Sequence, residues 1–192
     1  MPRMPYADDE ALPSDYDILH EMEDAMADGV DEDWWNAQPT VRTFANNPAL
    51  AETHVHTNVS MWKKSGLSPR EVEYVILAVG RAMDSDYEWH DHVIKAIERV
   101  GMSREEVLAV AEKDTSGMDD ATAALVNYAF EFVDEYGAVS DERYDALGAH
   151  YDRSTVVGAT MLAGYYVFLH HVATALGLEL EEEFVGWELE HY

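Results

Sequence analysis

Along most of the chain, apolar residues recur three and four positions apart, the period of an α-helix. No stretch alternates long enough to predict a strand, and no segment repeats. Residues 1–15 are acidic and proline-rich and predict an arm without a core. Residues 15–29 predict an amphipathic helix with Ile18, Leu19, Met22 and Met26 inward, stopped by Gly29. Residues 33–39 predict a short turn or helix ending near Pro39, with Trp34 and Trp35 as packing anchors. Residues 48–64 predict a helix with Leu50, Val55, Val59 and Trp62 inside.

The pattern is densest over residues 68–101. Ser68, Pro69 and Glu71 form a helix start with a capping box. Val72, Val75, Ile76, Val79 and Met83 follow at helical spacing, with Leu77 and Ala78 between them. A helix apolar nearly all round is a buried one. Yet it carries Glu73, and a buried carboxylate is costly unless paired. After a break at Asp84, Ser85 and Asp86, a second helix puts Ser85, Glu88 and His92 on one face. Val93, Ile94, Ile97 and Val100 form its core side, and Gly101 ends it.

Further helices are predicted from Ser103 to about Lys113, from Asp119 to Tyr136, from Ser140 to about Tyr151, and over residues 154–176 after a cap at Asp152. In the last of these, Gly158, Ala159, Ala163 and Gly164 permit close helix approach. The tail mixes acids with Phe184, Val185, Trp187 and Leu189 and is expected to dock on a neighbouring surface, a subunit included. The chain therefore predicts an all-α fold, a single-domain bundle of about seven or eight helices. It divides into an N-terminal arm and helix (1–46), a helical domain (47–185) and a tail (186–192).

Composition narrows the function. The 192 residues carry 39 acidic against 12 basic side chains, a formal charge of −27. Such a surface suits a salty cytoplasm, where ions screen the repulsion. It disfavours nucleic acid and anionic membranes as partners, because little is available to neutralise phosphates. There is no cysteine, which excludes disulfides, zinc–thiolate sites and thiol redox chemistry. Residues 1–20 lack the apolar run of a signal peptide, so the expected location is the cytoplasm. The apolar run over 156–178 contains Tyr165, Tyr166, His170 and His171 and reads as a buried or interface helix.

Glu73 and His92 are the candidate chemistry. A carboxyl and an imidazole in a buried pair make an acid–base couple. Counted from the break, Glu73 lies ~18 Å back and His92 ~10 Å forward at ~1.5 Å per residue. A simple hairpin thus leaves them offset by ~8 Å, and they meet only if the helices cross or a water bridges them. Glu88, one turn before His92, can contact it directly; the plain alternative is a routine i,i+4 pair on an outer face. His54 and His56, two apart, point ~200° apart on a helix and do not share an ion, but one of them can face the Glu73–His92 site.

The spacing Glu73-x11-Ser85-x2-Glu88-x3-His92 resembles the carboxymuconolactone decarboxylase and alkyl hydroperoxidase-D-like family, with both redox cysteine positions replaced. The Tyr87-Glu88-Trp89 run is similar to the cysteine-free, decarboxylase-like branch. The resemblance implies a helical oligomer, a trimer or hexamer, and a cofactor-free decarboxylation or related proton transfer on a small carboxylated or lactone substrate. It implies His92 as proton donor or base, Glu73 orienting it and Glu88 assisting. Ser85 would hydrogen-bond, Tyr87 and Trp89 would be site walls or core, and Arg81 would clamp a substrate carboxylate or form a surface ion pair. Two other readings stay open: a metal-binding helical enzyme, and a non-catalytic oligomer with no cavity beside His92.

Overall fold

The computed structural model describes residues 3–14 and 32–192; the helix predicted over 15–29 lies outside them. The described residues form α1 (Glu32–Ala37), α2 (Pro39–Phe44), α3 (Pro48–Lys64), α4 (Pro69–Ala82), α5 (Asp86–Glu98), α6 (Arg104–Ala111), α7 (Asp120–Asp134), α8 (Asp141–Gly148) and α9 (Arg153–Leu176). The fold is all-α, with nine α-helices among the described residues rather than seven or eight. The unforeseen one is α2. Pro39 was expected to stop a helix but sits at the first position of the next, where its missing N–H costs nothing.

α4 is the axis of the bundle. The Ser68–Glu71 capping box is made in both directions, and every residue from 72 to 80 is buried. α5, α6, α7 and α9 all pack against it. α5 turns straight back through Asp84, whose φ of 48° lies in the left-handed region that aspartate tolerates. Ser85 N–H then donates to Gly80 O at 2.9 Å, and the Ser85 side chain accepts from Glu88 N–H as the α5 cap. The two helices therefore start side by side.

The tail docks on the chain's own α5 and α6, with Val185 and Leu189 buried. Trp89 Nε1–H donates to Gly186 O at 3.1 Å, and Arg104 donates to Leu189 O at 2.9 Å. Leu50, expected inside, is 61% exposed. The buried stripe of α3 is Ala51, Val55, Val59 and Trp62, and Leu50 lies one residue, about 100°, off it. On α9, Val157, Met161 and Phe168 are likewise more than half exposed.

One glycine is required by packing. A Cβ on Gly158 of α9 would lie 2.0 Å from the Ser65 carbonyl oxygen, and backbone cannot swing aside as a side chain can. Gly158→Ala is expected to cost about 3 kcal/mol as an overpacked site, lowering Tm by roughly 6–12 °C in a chain of this size. An unchanged thermal melt would mean that α9 and the 65–67 segment do not press together.

Candidate functional site

Glu73 projects from the first half of α4 into the α4–α5 interface. Its Oε2 lies 2.8 Å from His92 Nδ1, and neither side chain is accessible beyond a few per cent. The helices cross closely enough to close the ~8 Å offset of a straight hairpin, and no bridging water is needed. Glu73 lies behind His92 and does not reach the cavity wall. With its carboxylate as acceptor, Nδ1 carries the proton and Nε2 faces outward. There Glu88 Oε2 and Asp91 Oδ2 each stand 3.9 Å from Nε2, a gap one water can bridge. Lys95, one turn on, pairs with Asp91.

His92 and Glu88 form one side of a cavity. α3 contributes His54, Asn58 and Trp62, spaced by four and so on one face. Tyr166 of α9 closes the rear, its ring edge-on to His92 at 5.1 Å. Trp35, Gln38 and Thr40 of the α1–α2 region form the roof. The space open to the centre of a water molecule is about 30 Å³, room for one or two waters. Most of the residues that line it are polar or charged. The reason is the α5 register: Glu88, Asp91, His92 and Lys95 share the inward face.

Of the remaining predicted residues, Tyr87 lines this cavity and hydrogen-bonds to Thr40. Ser85 is buried as the α5 cap and does not line it. Two others point elsewhere. Arg81 donates from Nε to Ala111 O at 2.9 Å, pairs with Asp84 at 2.7 Å and stacks on Trp187. It sits in the last turn of α4 and does not line the cavity, so it is not placed to clamp a substrate held there. Trp89 is core, fully buried and packed on Trp187. Sequence reasoning missed Asp91 and Lys95, although their spacing from Glu88 by three and seven carried the signal. For Tyr166, and for the roof residues, no local signal existed.

Among the carboxyl and imidazole groups that line the cavity, two are moved far from their ordinary ionisation. Burial lifts the Glu88 carboxyl to about 7; Asp91 adds to the lift, while His92 and Lys95 oppose it. Burial pushes His54 down to about 4. For Asp91 burial acts upward, but Lys95 and His92 outweigh it and hold the carboxyl below its usual value. Glu73 Oε1 and Glu88 Oε1 are buried without a hydrogen-bond partner, and only Glu88 can offer its oxygen to something in the cavity.

These shifts fix a sign. Between pH 4.5 and about 7 the folded chain holds a proton on Glu88 that the unfolded chain has lost. The Glu88 contribution to stability is therefore complete below pH ~4.5 and lost as pH rises through ~7, about 3 kcal/mol over the window. His54 acts the other way: between about 4 and 6.5 the unfolded chain binds the extra proton, so its contribution grows with pH. Glu88→Gln isolates the first effect. The wild-type Tm relative to this variant is expected to rise as pH falls from about 8 to about 5; parallel curves would mean Glu88 titrates normally.

Among the described residues, no group of three or more His, Asp and Glu side chains is arranged to hold a metal ion. The fold is similar to that of the debrominase Bmp8, at TM-score 0.75 and 17% identity over 96% of each chain. It is also similar to an alkylhydroperoxidase AhpD core protein from Ralstonia eutropha JMP134, at TM-score 0.68 and 17% identity, covering 97% of this chain and 96% of that one. Bmp8 as the C82A variant with 2,3,4-tribromopyrrole matches at TM-score 0.69 and 16% identity, over 92% and 94% of the two chains. No curated protein sequence matches significantly. Residues 48–135, which contain α3, α4 and α5 and so the Glu73–His92 pair, match the Carboxymuconolactone decarboxylase family.

Proposed function

We propose that this chain is a cofactor-free acid–base enzyme that decarboxylates, or moves a proton on, a small carboxylated or lactone metabolite. The observation that carries the reading is the buried Glu73–His92 contact of 2.8 Å, with Glu88 on the cavity side. Electrons from the breaking carbon–carboxylate bond pass into the lactone carbonyl, carbon dioxide leaves, and an enolate remains. Glu88, which carries a proton up to pH ~7, passes it to His92 Nε2, and His92 hands it on to the enolate carbon. Glu73 holds the imidazole at Nδ1 while the proton passes. Glu88 is then reprotonated by solvent, and atoms and charge balance.

A ring-sized substrate exceeds the space present, so it enters with the α1–α2 roof displaced. That a protein of this fold was crystallised with 2,3,4-tribromopyrrole, a five-membered ring, supports a small cyclic substrate. The test is γ-carboxymuconolactone in D₂O at high salt. One deuterium per product and release of carbon dioxide are expected; no turnover would remove this substrate. The same reading takes the chain as a homo-oligomer, a trimer or hexamer. The support is the exposed apolar row of Val157, Met161 and Phe168, and sedimentation as a monomer would refute it.

A further inference from the structure

We propose that His54 is the group that holds the substrate's carbonyl oxygen as negative charge builds on it, through a hydrogen bond from Nε2–H. The inference rests on the enolate reading above and assigns the donor which that reading lacks. The cavity is rich in carboxylates, and Lys95 is paired with Asp91, so an enolate oxygen needs a donor that brings no further negative charge.

His54 lines the same cavity from α3 that Glu88 and His92 line from α5. Its tautomer is set by a short relay. Asn58 hydrogen-bonds to the Tyr165 hydroxyl, and the Tyr165 oxygen lies 2.7 Å from His54 Nδ1. The Tyr165 hydroxyl also lies within donating reach of His54 O, at 3.3 Å, a longer contact than the 2.7 Å to Nδ1. The phenol proton therefore goes to Nδ1, and the imidazole proton sits on Nε2. Burial also raises the Tyr165 hydroxyl, so it remains a donor at neutral pH. Among the described residues Nε2 meets no hydrogen-bond partner, although His54 is 8% exposed. A neutral imidazole with one fixed N–H is suited to polarise a carbonyl without protonating it.

The test uses the full chain and tetronate, a five-membered lactone whose stable anion is an enolate. In spectra of ¹⁵N-histidine-labelled protein, His54 is expected as the neutral Nε2–H tautomer, and tetronate is expected to shift that proton. His54→Leu should weaken tetronate binding about ten- to a hundredfold. His54→Gln, whose amide can place an N–H near the same point, should stay within about threefold of wild type. Tyr165→Phe should leave His54 in mixed tautomers. The proposal is overturned by an Nδ1–H tautomer, by a His54→Leu variant that binds as tightly as wild type, or by a wild type that does not bind tetronate. Binding does not require turnover. Tetronate held through His54 with γ-carboxymuconolactone left untouched would thus keep the donor and remove only the decarboxylation.

Discussion

Replacing His92 with glutamine is expected to lower turnover of γ-carboxymuconolactone by about 10²–10⁴-fold, the usual worth of a positioned acid or base. Glutamine is the informative choice. Its amide can still donate to Glu73, so the buried carboxylate keeps a partner and the melt should move by only a few degrees. What it lacks is a nitrogen that can gain and lose a proton. A fall in kcat with KM little changed would mark an interaction made in the transition state. Turnover at the wild-type rate would move the chemistry away from α5 and leave Glu88 without a relay. The wild-type profile should also lose rate as Glu88 ionises through about pH 7, and Glu88→Gln should lower the rate and erase that limb.

The parts of this site that were legible in the sequence are those fixed by local rules. The Ser68–Glu71 box and the shared face of Glu88 and His92 follow from spacing alone, and both are made as expected. The Glu73–His92 contact needed one non-local quantity, the crossing of α4 and α5, which no residue pattern states. His54 and His56 pointed to opposite sides, but only the packing of α9 decides which of them meets the cavity. For Arg81 the sequence left a carboxylate clamp and a surface ion pair both open; its place at the helix end, beside Asp84 and the Ala111 carbonyl, decides for the ion pair. Trp89 sits next to Glu88 in sequence yet 100° around the helix, enough to send it into the core. The roof from α1–α2 was invisible because Pro39 signals both the end of one helix and the start of another.

The pair at the centre can be judged by removing it entirely. A buried ion pair seldom repays its desolvation, and similarly sized apolar residues in its place are often neutral or stabilising by 1–4 kcal/mol. Breaking it from one side is different. His92→Leu leaves Glu73, fully buried, without a partner and should cost about 3–5 kcal/mol, or roughly 10 °C in Tm. Glu73→Leu strands the imidazole Nδ1 and should cost about 1–3 kcal/mol. The double variant should recover most of both losses, giving a coupling of several kcal/mol in chemical denaturation. A double variant as stable as wild type but inactive would mean the pair contributes little to folding, which leaves proton transfer as the reason it sits there. Losses that simply add would instead make Glu73 and His92 independent structural parts of the α4–α5 interface. The acid–base reading would then have to rest on Glu88 alone.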